Sequence, residues 1–347
     1  MNKDTEDTTT TPLEPVAEEQ QNKGQADSEQ PQEYIERQDA EKVIAVCASS
    51  INLKWNVIGN SQYEFQRISG DAIVQGSTVY MRDSLSREDI YAYDFVRDSW
   101  SKVSMAPFLG TLVLVNNLLT SVGGGTNKLF SCTGKGESEK WTENFPPMPT
   151  ARYGVSAMCT KATLIVAGGD DSKKVEVMNT ETHQWSTAAS LPVKLRWSSM
   201  TVCGDQIYMM GGSQPTFLEG YRDTNSVYTC SLSALLEEKS LAAKLASALS
   251  LSKVWNRVAD LPVVKSTGVC LNGQLLAIGG SAANAATVAV RMYDPTMDKW
   301  KIISHMSQPR HSCFAAVLPD NTLLVLAGRG PQDCIGYIQE VEKATIV

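Results

Sequence analysis

Short apolar runs that end in glycine recur along the chain, as TLIVAGG, QIYMMGG and QLLAIGG, with looser versions LLTSVGGG and LLVLAGRG. Continuous apolar runs of this length, closed by glycine, are typical of buried strands. Because glycine weakens a strand, a glycine pair at one repeat position indicates that neighbouring backbones approach closely there. The clearest pairs are Gly168 and Gly169, Gly211 and Gly212, and Gly279 and Gly280.

An alternating run and a tryptophan follow in each unit. The segments IYAYDFVRDSW, VEVMNTETHQW and VRMYDPTMDKW start at Ile90, Val175 and Val290 and align without gaps. The alternation predicts a strand with one partly solvated face, and a polar turn then leads to a further strand that carries the tryptophan. Four strands with a period in the forties are typical of a β-propeller blade. Trp100, Trp141, Trp185, Trp255 and Trp300 are separated by 41, 44, 70 and 45 residues.

This order of glycine pair, tyrosine or a substitute, tryptophan and a proline-containing loop with arginine resembles the kelch repeat. The resemblance covers about residues 45–347, although the first unit has VYMRDS where the glycine pair is expected. It implies an all-β fold, a six-bladed kelch β-propeller of four-stranded antiparallel blades. A WD-type propeller is the structural alternative, but no Trp-Asp dipeptide follows the strands.

The two ends of the repeat array complement each other. Trp55 precedes the first blade without strands of its own, and the last unit stops at Val347 without a tryptophan. We therefore expect a strand around Leu53–Ile58 to complete the last blade and to leave no unpaired sheet edge where the ring closes.

One spacing is long because blade four contains extra residues between its third and fourth strands. Leu241, Leu245 and Leu249 repeat at intervals of four in this segment, and Glu237 and Glu238 fall in the expected first turn, where the helix dipole favours them. This pattern and the high helix propensity of the composition predict a helical insertion over residues 233–252.

The charge is concentrated at the N-terminus. Residues 1–42 contain twelve Asp or Glu and four Lys or Arg, a net charge of −8. The whole chain carries −7, so residues 43–347 carry −7 − (−8) = +1. The first segment has few clustered apolar residues and cannot offset its ordering entropy. We expect a disordered acidic tail over 1–42 and the propeller over 43–347.

The sequence contains no signal-peptide pattern and no apolar run of the roughly 18 residues that a membrane helix needs. Among the eight cysteines there is no CxxC pair. Cys159, Cys203 and Cys270 share one repeat position, which we interpret as a small buried filler rather than as disulfide partners. These features favour a reduced, cytoplasmic protein.

The antiparallel order of a blade places the blade-to-blade loops and the second-to-third-strand loops on one face. Loops on a rigid scaffold are common positions for binding residues. Basic and aromatic residues recur in these loops, and an arginine ring of this kind can grip carboxylates. The alternative is that each arginine bonds to neighbouring loop carbonyls. The candidate partner-binding residues are Arg152, Tyr153, Arg196, Trp197, Tyr221, Arg222, Lys265, Arg310, His311 and Arg329.

Catalytic signatures are weak. Of the three histidines, His183 falls in a turn and His305 and His311 flank one loop, and no GxSxG, HExxH or phosphate-binding pattern occurs. We therefore expect no catalytic residue, no metal and no cofactor. The kelch resemblance implies a non-catalytic interaction module, such as a ubiquitin-ligase adaptor or a cytoskeletal scaffold. We expect a protein or acidic peptide partner rather than nucleic acid or a membrane. The alternative is a kelch-type enzyme that acts on a small molecule or carbohydrate in the axial pocket.

Overall fold

The computed structural model describes residues 51–63, 65, 72–82, 89–103, 106–134, 139–160, 162–218, 220–237, 254–331 and 338–347. These residues form six four-stranded antiparallel sheets and two short two-stranded ones. The innermost strands of the six large sheets contact one another in sequence around a closed ring. The predicted six-bladed propeller is therefore confirmed. No helix in the described part of the chain is long and apolar enough to span a membrane.

Each blade runs outward from its first strand to its fourth. Blade one contains β2 (Ile73–Gln75), β3 (Thr78–Arg82), β4 (Ile90–Asp94) and β5 (Ser99–Val103). Blade two contains β6 (Thr111–Val115), β7 (Leu118–Val122), β8 (Leu129–Thr133) and β9 (Lys140–Thr142). Blade three contains β10 (Ser156–Cys159), β11 (Thr163–Ala167), β12 (Val175–Asn179) and β13 (Trp185–Thr187).

The other three blades follow the same order, with two added hairpins. Blade four contains β14 (Ser199–Cys203), β15 (Gln206–Met210), β18 (Val227–Ser231) and β19 (Asn256–Val258), with the hairpin β16 (Ser213–Pro215) and β17 (Tyr221–Asp223). Blade five contains β20 (Thr267–Leu271), β21 (Gln274–Ile278), β24 (Ala289–Asp294) and β25 (Lys299–His305), with the hairpin β22 (Ser281–Ala282) and β23 (Ala285–Ala286). Blade six contains β26 (Phe314–Val317), β27 (Leu323–Leu326), β28 (Glu340–Ile346) and, outermost, β1 (Leu53–Asn60).

The sixth blade joins the two ends of the described chain. Strand β1 pairs antiparallel with β28, from Leu53 opposite Ile346 to Asn60 opposite Glu340. The N-terminal strand thus occupies the outer edge of the last blade, as the unmatched repeat halves predict. This pairing closes the ring with an intrachain hydrogen-bonded seam.

The second strands are mostly buried and mostly apolar because neighbouring blades cover both of their faces. The third strands of blades three and five, β12 and β24, are also buried along most of their length, including the polar residues Glu176 and Arg291. The expectation of a partly solvated face on these strands is therefore wrong. The alternation instead places a charged residue at an interior position, where it requires a partner.

The glycine pairs allow the loops of adjacent blades to approach closely. Gly168 and Gly169 have φ values of +67° and +100°, and the N–H of Gly169 donates to the carbonyl of Leu195 over 2.8 Å. A side chain on Gly168 would collide with that carbonyl. Gly280 makes the equivalent bond to the carbonyl of Arg310 over 3.0 Å. The close backbone approach predicted from the glycine pairs is present.

Four of the six repeat tryptophans join a blade to the one before it through a hydrogen bond, whereas the buried indole N–H of Trp100 has no hydrogen-bond partner among the described residues. The six tryptophans lie in the outermost strands, except that Trp255 immediately precedes β19. Each of these indole hydrogen bonds ends on an atom of the preceding blade, or of the loop that follows the preceding blade. The indole Nε1 groups donate over 2.8–3.1 Å, Trp55 to the hydroxyl of Ser304, Trp185 to the carbonyl of Pro146, Trp255 to that of Ala189 and Trp300 to that of Ala259.

The insertion in blade four begins with a short helix, α1 (Leu232–Leu236), whose N-cap Ser231 accepts a hydrogen bond from the N–H of Ala234. Glu237 caps the C-terminus of α1 instead of lying in a first turn. The leucine repeat of the insertion and the acidic segment 1–42 lie outside the described residues, so both remain predictions.

A disulfide joins Cys203 and Cys270, with their Cα atoms 5.4 Å apart. It links the innermost strands of blades four and five, β14 and β20. The expectation that these cysteines are only buried fillers is therefore wrong. Cys159, at the end of β10 in blade three, keeps a free thiol, and burial raises its pKa to about 11.

Candidate functional site

The blade-to-blade loops and the second-to-third-strand loops meet on one end of the propeller, which we call the loop face. Backbone bridges join the two loop sets directly. Arg196 pairs with Ser213, Val264 with Ser281, and His311 with Arg329. In blades four, five and six, the residue after the glycine that ends the second-strand run is thus held against the loop that enters its own blade. The expectation that these loops share a face is confirmed.

Backbone geometry defines three successive positions in each blade-to-blade loop. The third position has a positive φ, between +50° and +71°, in four loops, and its residues are Gly154, Trp197, Lys265 and Ser312. Hydrogen bonds link this position around the ring, from Trp197 N–H to the Gly154 carbonyl and from Ser312 N–H to the Lys265 carbonyl. The second position is Tyr153, Arg196, Val264 and His311, and the first is Arg152, Leu195, Val263 and Arg310.

The first position is buried in all four loops, and two of its residues are arginines. The side chains of Arg152 and Arg310 are 2% and 0% exposed. Arg152 binds Glu176 at 2.8 Å and Arg310 binds Glu342 at 2.6 Å. The structure therefore contradicts the expectation that these two guanidinium groups reach a partner.

Carbonyl oxygens complete the environment of the two buried arginines. Arg152 Nη1 donates to the carbonyls of Gly168 and Lys174, and Arg310 Nη1 donates to those of Ala327 and Glu340. Each arginine thus ties a blade-to-blade loop to the second and third strands of the blade that it enters. This is the loop-bonding alternative considered for the sequence.

Arg196, one position later, lies between aromatic rings. Its guanidinium carbon is 4.0 Å from the ring centroid of Trp197 and 3.0 Å from that of Tyr221. Its Nη1 also lies 3.3 Å from Asp170, and Tyr153 meets Trp197 edge to face at 5.9 Å. The side chain is only 17% exposed. Arg196 therefore contacts the β16–β17 hairpin through Tyr221, while the carboxylate of Asp170 lies near its positive charge.

A second cluster of charged and titratable residues is contributed by blades four, five and six, and consists of Asp223, Lys265, His311 and Arg329. Lys265 Nζ is 3.1 Å from Asp223, at the end of the hairpin, and both side chains are about 40% exposed. Burial, followed by the charges of Lys265 and Arg329, lowers the pKa of half-buried His311 to about 4, and Asp223 opposes this shift. His311 is therefore neutral at physiological pH. Lys265 and Arg329 are exposed cations.

The hairpin itself contains features that sequence reasoning missed. Arg222 is exposed on β17, as expected for a contact residue. Phe217 and Leu218, between β16 and β17, are 100% and 87% exposed. The available signal was a pair of large apolar residues in a loop that has no strand or helix periodicity. Of the acidic residues on this face, Asp170 and Asp171 pair with Arg196 and Lys194, and Glu219 lies outside the described residues.

Among the described residues, no three His, Cys, Asp or Glu side chains are placed to hold a metal ion. The described loop face combines exposed cations, partly matched carboxylates and an apolar hairpin tip. This chemistry is suited to recognition of another molecule's surface.

A family model for the kelch motif matches residues 265–307, which run from the Lys265 loop through blade five. The matched segment contains the Gly279–Gly280 pair and Trp300, and five further blades surround it. The protein is a kelch-repeat β-propeller.

Related proteins share these repeats. Kelch-like protein 25 of Xenopus tropicalis is 25% identical over 240 residues, which is 62% of this chain and 36% of the relative. Beta-scruin of Limulus polyphemus is 23% identical over 289 residues, which is 74% of this chain and 29% of the relative. The kelch propeller therefore spans about a third of the length of these curated relatives.

Two further matches are more distant. The human Kelch repeat and BTB domain-containing protein 2 is 23% identical over 187 residues, 52% of this chain and 28% of its own length. The solved structure of YjhT superposes with a TM-score of 0.61 at 15% identity, covering 82% of this chain and 96% of YjhT. This likeness supports the propeller fold alone.

Proposed function

We propose that this kelch propeller is a non-catalytic interaction module that binds an acidic segment of a partner protein on its loop face. The observation that carries the proposal is the exposure of Arg222, Lys265 and Arg329 on loops of blades four, five and six. Arg152 and Arg310, at the first loop position, are buried in ion pairs, whereas these three cations are exposed to a ligand. An adaptor or scaffold role is consistent with kelch-repeat relatives that are much longer than this chain.

The chemistry of these side chains favours carboxylates. A hydrogen bond that involves a charged group contributes about 1.5–3 kcal/mol, and arginine can bind a carboxylate through two parallel bonds. Two or three such contacts give an affinity on the order of micromolar after the cost of ordering a peptide. Because Lys265 and Arg329 are exposed, salt should weaken the interaction.

Binding can be measured by fluorescence polarisation with a labelled peptide composed of glutamate, glycine and serine. The test variant is Lys265→Glu with Arg329→Glu in the full chain. The matched control is Arg97→Glu with Lys299→Glu, which reverses two exposed cations near the third-to-fourth-strand turns on the opposite face. We expect the test variant to lose most of the binding and the control to retain it.

Two results would refute the proposal. One is acidic-peptide binding that survives reversal of Lys265 and Arg329. The other is equal loss in the control pair, since the attraction would then be a non-specific effect of net charge. Circular dichroism and thermal unfolding verify that all variants are folded.

A further inference from the structure

The most exposed large apolar residues of the described chain lie together on the loop face. Phe217 is 100% exposed and Leu218 is 87% exposed, and they are adjacent at the tip of the β16–β17 hairpin. The other described residues of this kind that are more than 60% exposed lie singly. Val96 at 74% and Met297 at 61% are in turns on the opposite face, and Val347 at 67% follows β28. Adjacent apolar side chains in full contact with water are typical of interaction surfaces.

The base of this hairpin is firmly held although its tip is not covered. Ser213 pairs with Asp223 and Pro215 with Tyr221, and the N–H of Thr216 donates to the Gly220 carbonyl over 2.7 Å. The tip is therefore carried on a hydrogen-bonded support, and binding of a ligand does not have to order this support.

Neighbouring loops fix the direction of the hairpin. Arg196 stacks on Tyr221 from one side, and Lys265 binds Asp223 from the other. Both contacts connect the hairpin to blade-to-blade loops. Arg222, which lies between these two anchored residues, is exposed. The apolar tip residues and a cation thus lie on one hydrogen-bonded hairpin, next to the cation of the following loop.

We propose that Phe217 and Leu218 bind large apolar side chains of the same segment whose carboxylates bind Arg222, Lys265 and Arg329. The ligand is then an amphipathic acidic segment, in which leucine or an aromatic residue stands beside the acidic residues. This inference rests on the proposed function and specifies its ligand class. An apolar centre beside charged contacts is the usual composition of a protein interface.

The same tip on a surface of uniform positive charge would fit an anionic membrane. Here Asp170, Asp171 and Asp223 also lie on the loop face, and an anionic lipid surface repels them. Discrete carboxylates of a peptide can pair with individual cations, whereas a lipid surface presents its negative charge to the cations and the aspartates alike. The observations therefore favour a protein segment over a lipid surface.

The test uses two labelled peptides of equal length and charge. One contains glutamate, glycine and serine, and in the other two adjacent serines are replaced with leucine and phenylalanine. Binding is compared between the unsubstituted full chain and the Phe217→Ser/Leu218→Ser variant. The matched control, Val96→Ser/Met297→Ser, removes exposed apolar side chains from the opposite face. All four side chains are exposed, so the variants should fold.

We expect the amphipathic peptide to bind the unsubstituted protein about tenfold more tightly than the polar acidic peptide, as burial of apolar surface requires. The Phe217/Leu218 variant should lose this preference and keep its affinity for the polar peptide, and the control variant should behave as the unsubstituted protein does.

Equal affinity of the two peptides, or a preference that survives the hairpin substitutions, would overturn the inference while leaving acidic-peptide binding intact. Failure of both peptides to bind would refute the proposed function itself. Co-sedimentation with phosphatidylserine-containing vesicles that depends on Phe217 and Leu218, without any peptide preference, would assign the tip to a membrane and also overturn the inference.

Discussion

Arg310 and Glu342 form an ion pair of 2.6 Å in which neither side chain is exposed to solvent. Arg310 belongs to the loop that enters blade six, and Glu342 belongs to the third strand of that blade. Arg152 and Glu176 make the same connection in blade three over 2.8 Å. In blades three and six the repeat thus uses a buried arginine to fix the loop that enters the blade.

Replacement of Arg310 by glutamine should destabilise the propeller by about 3–5 kcal/mol, because the buried carboxylate of Glu342 then lacks its counter-charge. The N–H of Ser307 also bonds to Glu342, but it supplies no full charge. Chemical denaturation followed by tryptophan fluorescence measures the change. Arg329→Gln, an exposed arginine of the same face, is the control and should change stability by less than about 0.5 kcal/mol. Similar losses for both variants would contradict a structural role specific to Arg310.

Closure by β1 predicts a sharp difference between two truncations. Removal of residues 1–42 leaves β1 intact, and we expect the melting temperature to stay unchanged. Removal of residues 1–60 deletes the whole strand and exposes the edge of β28, so the ring should lose stability or fail to fold. Thermal unfolding by circular dichroism measures both. Equal melting temperatures would contradict closure by β1.

Within that strand, Trp55→Ala should cost about 2–3 kcal/mol, below the usual range for a fully buried tryptophan because Trp55 is half-buried. Trp55→Phe should lose about 1 kcal/mol, since it removes the hydrogen bond to Ser304 and keeps most of the packing. Urea unfolding of the two variants separates these contributions. An alanine variant as stable as the phenylalanine variant would show that the indole is not packed between the blades.

The fold was predictable because each blade repeats the same physical requirements. A glycine pair allows loops to approach, and a tryptophan joins most outer strands to the previous blade. These features recur with a period in the forties, apart from the insertion in blade four, so the blade number and the role of β1 follow from the sequence. The burial of the third strands did not follow, because alternation in a half-solvated strand and alternation around an interior ion pair look alike.

The site was less predictable because register in the loops depends on the backbone. The sequence alone aligns the basic residues Arg152, Arg196, Lys265 and Arg310. In the structure, the residue with positive φ comes two positions after Arg152 and Arg310, but one position after Arg196. In the remaining loop it is Lys265 itself. This difference decides which cations are buried, stacked or exposed. The cysteine argument failed for a related reason, since residues at one repeat position of adjacent inner strands are spatial neighbours.

The Cys203–Cys270 disulfide closes a loop with a sequence separation of 67 residues. Restriction of the unfolded chain by such a loop stabilises a protein by about 4 kcal/mol in the entropic model, and measured values are commonly 2–4 kcal/mol. We expect Cys203→Ser/Cys270→Ser to lower stability by a similar amount. Reductant should destabilise the unsubstituted protein equally and leave the double variant unchanged.

Cys159→Ser is the matched control for this prediction, because Cys159 holds the equivalent position in blade three and remains a thiol. It should keep the sensitivity to reductant. Mass spectrometry of the alkylated protein before and after reduction counts the bonded cysteines directly. In a further test, the protein is isolated from its native compartment, unfolded without reduction and treated with a thiol label. If Cys203 and Cys270 react with the label, the bond does not form in that compartment, which is the result expected in a reducing compartment.

His311 should make the stability of the propeller depend on pH between about 6.5 and 4. Its pKa in the folded protein is about 4, and in the unfolded chain it returns to about 6.5. Within this window the unfolded state binds more protons, so the free energy of unfolding falls as pH decreases. His311→Gln cannot titrate and should lose less stability over the same range, while the contribution of the carboxylates cancels in the comparison.

NMR titration of the His311 ring protons measures the pKa directly. Lys265→Met/Arg329→Met should raise it by removing two neighbouring positive charges, although burial should keep it below 6.5. A folded-state pKa near 6.5, or parallel pH profiles for the unsubstituted protein and His311→Gln, would contradict the placement of a neutral imidazole between these cations.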